Sequence, residues 1–184
     1  MNIQKALRRS RAIVKAAPLI GGAMDGYPEH ARHLRLGRFS ETGRIYSVTS
    51  ITDQRRIIFD DYSIGRLVVR EFRRAQEQSL ASTLAWVVMP DHFHWLLELH
   101  EGSLAQVLKQ VKARSAIEIN KALNGEGRIW QKGFHDRAVR QEDDLQKLAR
   151  YIVANPLRAG LVKRVGNYPL WDAIWVRHQA DNTL

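Results

Sequence analysis

Two short stretches of this sequence carry residues suited to phosphoryl or metal chemistry: Pro90-Asp91-His92-Phe93-His94-Trp95-Leu96-Leu97 and Tyr151-Ile152-Val153-Ala154-Asn155-Pro156. Side chains alternate faces along a strand, so His92 and His94 project to one side, their Cα atoms about 7 Å apart. Phe93, Trp95, Leu97 and Leu99 then point together into a core. Two imidazoles on one side can converge on a cation. The same pattern also suits two ordinary hydrogen-bonding histidines on an open sheet, so the pair needs a third ligand and a reacting group.

The second stretch could supply both. At about 100° per residue, Leu145, Leu148, Ala149, Ile152 and Val153 form the apolar stripe of a helix. Tyr151 and Asn155 fall together on its flank, one turn apart. A rim tyrosine that packs its ring and wets its hydroxyl fits the same position. Pro156 lacks an N–H and restricts its predecessor, so the helix should break at Asn155, freeing that side chain to turn inward.

The elements that must position these groups are legible from pattern. Arg44–Thr52 is rich in β-branched and aromatic residues and predicts a strand. Asp60–Gln78 carries Ile64, Leu67, Val68 and Phe72 at helical spacing. Leu84–Met89, the Pro90-Asp91 turn and His92–Leu99 predict a hairpin. Ser103 and Gln106 predict a capping box ahead of a helix to Leu123, with Leu104, Val107, Leu108 and Val111 as its stripe. Phe134–Arg140 predicts a fourth strand and Glu142–Ala154 a last helix. The first six elements give an α+β split βαβ fold of the ferredoxin-like, RRM-like kind, an antiparallel sheet with helices on one face, followed by the tyrosine helix.

Length and charge set the bounds. At 184 residues the chain suits one domain with extensions: a basic arm over 1–36, a domain over 37–165 and a tail over 166–184. No apolar run is long enough to cross a membrane. The absence of cysteine removes disulfides, thiolate catalysis and cysteine-held zinc, and it agrees with a cytoplasmic location. The formal charge of +10 is uneven: +6 over 1–40, −1 over 41–100 and +5 over 101–184. Such a distribution suits a polyanion lying across the protein, and the arm is expected to touch it.

His92-Phe93-His94 resembles the histidine–hydrophobe–histidine motif of the HUH nucleases. Tyr151–Val162 resembles the tyrosine segment of the REP-associated tyrosine transposases, and Gly37–Gly43, Trp130–Arg137 and Tyr168–Trp171 agree with that family. The resemblance runs from about Gly37 to Trp175. It implies a single-strand DNA endonuclease and strand transferase acting on palindromic REP-type hairpins, with no membrane or small-molecule substrate. Tyr151 would be the nucleophile, giving a 5′-phosphotyrosine link. His92 and His94 would bind a divalent cation, Mg2+ or Mn2+, with Asn155 as the further ligand where sibling transposases commonly carry Gln. Imidazole ligands favour Mn2+ of the two.

For DNA contacts we expect Arg114, Lys132, Arg137, Arg140, Lys147, Arg150 and Arg158, with Lys109 and Lys112 beside Arg114 on its helix. Trp130 and Phe134 either stack unpaired bases or fill the core. Trp86 and Trp95 read as core, and Glu98 as an exposed carboxylate or an outer partner of the histidines. Either a monomer or a homodimer fits. A hairpin-binding regulator without catalysis, or a hydrolase using water as nucleophile, would share much of this pattern.

Overall fold

A computed structural model describes residues 40–140 and 144–175. The arm over 1–36 lies outside them. Five antiparallel strands form one sheet: β1 (Ile45–Ile51), β2 (Ala81–Met89), β3 (His92–Leu99), β4 (His135–Ala138) and β5 (Trp171–Ala173). Their spatial order is β4-β1-β3-β2-β5. The helices are α1 (Tyr62–Glu77), α2 (Leu104–Ala122), α3 (Leu145–Val153) and the single turn α4 (Asn155–Arg158). Through β4 this is the split βαβ arrangement expected from the sequence, an α+β fold.

Each long helix starts where the sequence places a cap. The Asp61 carboxylate accepts from the Ser63 N–H at 2.8 Å at the head of α1. Ser103 and Gln106 close the capping box of α2 in both directions. Asp144 accepts from the Lys147 N–H at 3.0 Å and starts α3.

The sheet separates two layers. Phe72 of α1 lies against Phe93 and Trp95, with ring centroids 5.1 and 4.4 Å away. Ser115 of α2 accepts from the Trp130 indole, and that ring in turn meets Phe93. Helices α1 and α2 therefore cover the Phe93/Trp95 face. The other face presents the cross-strand rows Ile51–His92–Met89 and Thr49–His94–Val87. Ala85, Val87 and Leu96 on this face are fully buried, and α3 packs on β2, β5 and β3 as their cover. The tyrosine helix thus sits on the histidine side of the sheet, opposite the other two helices.

The β2–β3 hairpin tip is tied down from both sides. The Pro90 carbonyl accepts from the Ile58 and Phe59 N–H groups at 2.9 and 3.0 Å. The Asp91 carbonyl accepts from the Thr52 N–H and hydroxyl, both at 2.9 Å. His92 follows at once, so its backbone starts from an immobilised turn.

The end of the chain departs from expectation. The segment after 165, read as a tail, belongs to the core as far as Ala173. Tyr168 and Leu170 are buried, the Tyr168 hydroxyl donates to the Val88 carbonyl at 2.7 Å, and β5 pairs with β2. Gly65 of α1 makes room for this segment: a Cβ there would stand 2.3 Å from a Leu170 methyl. Three residues are too few to show the alternation by which longer strands are recognised, so β5 left no readable pattern.

Candidate active site

His92 and His94 are both buried, and their Nε2 atoms face one another at 3.2 Å, with ring planes nearly perpendicular. Each remaining ring nitrogen has its own partner. His92 Nδ1 meets the Asp91 carboxylate at 2.5 Å, and His94 Nδ1 meets the Thr49 hydroxyl at 2.8 Å. Asp91 in turn accepts from Arg55 at 3.0 Å. Burial alone would raise the Asp91 carboxyl. The hydrogen bond and charge of His92, together with Arg55, outweigh it and hold the group below its usual range. His94 is pushed down to about 3 by burial, then by the charges of His92 and Arg158, with Asp91 opposing. It is therefore a neutral imidazole at neutral pH, the form that ligates metals.

The donor set fits a small divalent cation. Adjacent donors at about 2.1 Å from an ion are about 3.0 Å apart in an octahedron and about 3.4 Å apart in a tetrahedron. The imidazole pair spans 3.2 Å. Anchoring of both Nδ1 atoms is the outer support such ligands ordinarily have. Among the described residues, no third histidine or carboxylate completes a cluster. Glu98 stands four residues beyond His94 at the far end of β3.

Tyr151, half-buried on α3, is held by a residue downstream of the helix break. The Arg158 guanidinium lies over its ring, 3.7 Å from the centroid, and donates to the phenol oxygen at 2.5 Å. Arg158 lies seven residues on from Tyr151, past the break at Ala154 between α3 and α4. The Arg158 charge is felt at His94, so this guanidinium links the phenol to the imidazole side of the site.

Asn155 has a structural task at the same break. Pro156 has no N–H to give the Ile152 carbonyl, and the Asn155 amide nitrogen takes that place at 2.8 Å, reaching the Tyr151 carbonyl at 3.3 Å as well. Its side chain is buried, with Oδ1 as the atom remaining for a ligand.

The residues expected to touch DNA separate into groups. Trp130 is a core residue: it is 5% exposed, packs between Phe59 and Phe93, and bonds Ser115, so it offers no stacking surface. The cause is its backbone bridge to Thr52, which draws the ring under the sheet. Phe134 also packs partly against the core. Arg114 stands on α2, across the sheet from the histidines, and reaches Gln78 at 3.4 Å. Its neighbour Lys112 is a strap: its ammonium donates to the Gln131 and Gly133 carbonyls, and burial pushes it down to about 8.

Lys132, Arg137, Arg140, Lys147 and Arg150 are exposed. Arg137 is opposite Ser47 in the sheet and shares the histidine face. Lys147 pairs with Asp144 at 3.2 Å, and Arg150 reaches Gln146 at 3.5 Å on the outer side of α3. Sequence reasoning did not single out Thr49 or Arg55. Asp91 forms the turn the sequence predicts, and a carboxylate directly before His92 is the sequence signal for its second role.

Residues 42–155 match the model of the family described as IS200-like transposases. A Haemophilus influenzae protein named for the REP-associated tyrosine transposases is 27% identical over 146 residues, 71% of this chain and 80% of its own length. The Escherichia coli REP-associated tyrosine transposase is 32% identical over 87 residues, 46% of this chain and 50% of its own. Among solved structures, a REP-associated tyrosine transposase bound to a REP hairpin superposes with a TM-score of 0.60 at 22% identity, covering 80% of this chain and 82% of that one. At that identity the likeness speaks for the fold. The family match spans the strand of His92 and His94, the helix of Tyr151 and the break at Asn155, and the chain belongs to the IS200-like transposase family.

Proposed function

We propose that this transposase is a single-strand DNA endonuclease and strand transferase that recognises palindromic, REP-type hairpins and cuts them with Tyr151. One observation carries the reading: the Nε2 atoms of His92 and His94 converge while the phenol, held by Arg158, lies on their side of the sheet. The Tyr151 oxygen attacks phosphorus, the bond from phosphorus to the 3′ oxygen breaks, and a 5′-phosphotyrosine forms as the 3′ oxygen leaves and takes up a proton. The phenolic proton is given up in the same exchange. Reversal onto another 3′-hydroxyl rejoins DNA without an external energy source.

Arg158 is suited to stabilise negative charge on the tyrosine oxygen as the proton departs. His92 and His94 would hold Mg2+ or Mn2+, with Asn155 Oδ1 as the further protein ligand; the ion supplies polarisation and alignment of the scissile phosphate. Exposed Arg137 lies on β4, Lys132 and Arg140 flank it, and all three suit phosphate contacts. A solved transposase of this fold is bound to a REP hairpin, and a relative carries the REP-associated name; both support a hairpin partner.

The test incubates single-stranded hairpin DNA with protein and Mn2+, denatures the sample, and looks for covalently joined DNA. Wild type should form the adduct. Tyr151→Phe should bind the hairpin yet give neither adduct nor cut, and so should the pair His92→Ala with His94→Ala. Cleavage surviving in Tyr151→Phe would point to water as nucleophile. Tight binding by wild type without any adduct would favour a non-catalytic regulator.

A further inference from the structure

The hydrogen-bond pattern around the imidazole pair makes a demand that neither histidine meets alone. Two neutral imidazoles that both carry the proton on Nδ1 would oppose two Nε2 lone pairs at 3.2 Å. One proton must lie between them. In the state with both rings uncharged it is not on His92, whose single proton lies at Nδ1, because Nδ1 faces a carboxylate at 2.5 Å and an ionised carboxylate only accepts. His92 therefore donates through Nδ1 and offers a lone pair at Nε2. The shared proton belongs to Nε2 of His94, which leaves Nδ1 of His94 as an acceptor. The group beside it at 2.8 Å is the hydroxyl of Thr49, which can donate.

A cation between the rings needs a lone pair from each Nε2. His92 is already in that state. His94 is not: its proton must pass to Nδ1, and the group facing Nδ1 must then accept. A hydroxyl has one O–H and two lone pairs and serves in both directions; a carboxylate, an ammonium or a methyl group would not.

We propose that Thr49 is the positioning residue of His94, and that its hydroxyl reverses direction when the imidazole pair takes up a divalent cation. It donates to Nδ1 while the rings bond each other, and accepts from Nδ1 once both face a metal. No proton enters or leaves the protein; one moves from Nε2 to Nδ1 of the same ring. Thr49 is placed for this by register, since it is the cross-strand partner of His94 on the same face of the sheet. This inference rests on the metal-pair reading above and adds a determinant of its affinity.

The test uses the full chain in two measurements. Ring-nitrogen NMR of the metal-free protein, about two pH units above the ordinary imidazole value of about 6.5, reads each tautomer, with His92→Gln and His94→Gln for assignment. The expected result is His92 protonated at Nδ1 and His94 at Nε2. Calorimetric titration with Mn2+ then compares the parent with Thr49→Val and Thr49→Ser. Thr49→Val, nearly isosteric, should lose about 10- to 100-fold in affinity, the usual effect of removing such an outer partner, and Thr49→Ser should restore it. A His94 proton on Nδ1 in a parent that does take up Mn2+ would overturn the proposal alone, as would Thr49→Val binding Mn2+ like the parent. A parent that takes up no Mn2+ would overturn the metal-pair reading and this inference with it.

Discussion

Asn155→Asp separates two roles that meet in one side chain. The substitution keeps the shape and replaces the amide nitrogen by oxygen. That nitrogen is the donor to the Ile152 carbonyl at 2.8 Å and to the Tyr151 carbonyl at 3.3 Å, in a residue only 3% exposed. Pro156 cannot supply the N–H that a continuing helix would give the Ile152 carbonyl, and the Asn155 amide takes that place. Leaving one buried carbonyl unsatisfied costs about 1–3 kcal/mol. Placing a second acceptor against it adds to that cost, or forces the new carboxyl to stay protonated.

We therefore expect a loss of about 2–4 kcal/mol on this basis. In urea, with a slope of about 1–3 kcal/mol per molar, the unfolding midpoint should fall by about 1–2 M. The same variants should be titrated with Mn2+. A carboxylate is a stronger ligand than an amide oxygen, so a metal-ligating position 155 would bind Mn2+ more tightly as Asp despite the lower stability. An Asn155→Asp protein with the parent's urea midpoint would refute the account of the helix break. Unchanged Mn2+ affinity in a destabilised variant would refute Asn155 as a ligand.

Three further outcomes are expected. Trp130→Ala should destabilise the fold by about 3–5 kcal/mol, the usual cost of emptying an aromatic core site, read by thermal unfolding; a stable variant with weakened DNA binding would instead restore the stacking role. The unfolded chain protonates His94 near 6.5, whereas the folded one resists until about 3, so this group's contribution is complete above 6.5 and is lost as pH falls. Between pH 7 and 5 it should amount to about 2 kcal/mol, and urea titrations at both values should show a smaller loss in His94→Gln. Gly65→Ala sets a helix-propensity gain of about 1 kcal/mol against overpacking of about 1–3 kcal/mol at the Leu170 methyl, so a net loss is expected; a rise in Tm would show that Leu170 gives way freely.

What could be read from the sequence is what lies within one element. Alternation in β3 put both histidines on one side and Phe93 and Trp95 on the other, because a strand's pleat is a local property. Helical periodicity likewise placed Tyr151 beside Asn155, and proline chemistry located the break between them. Contacts set by pairing between distant segments left no such trace. Thr49 meets His94 only through the β1–β3 register, and Trp130 is buried only because it bridges to Thr52. Arg158 reaches Tyr151 across the break between α3 and α4, whose geometry spacing alone does not define. Basic residues were the least legible: Lys112 straps a loop and Arg114 stands behind the sheet, although both carry the charge that drew attention to them.

The anchored hairpin tip has a consequence for how the two halves of the site can drift apart. Both imidazoles ride on consecutive pleats of β3, whose entry is pinned by Thr52, Ile58 and Phe59, so their mutual spacing is written into a few backbone bonds. The phenol belongs to a nine-residue helix laid over the sheet and secured by few apolar side chains. Substitutions that loosen the molecule should thus alter the gap between phenol and imidazoles long before they part the imidazoles from each other.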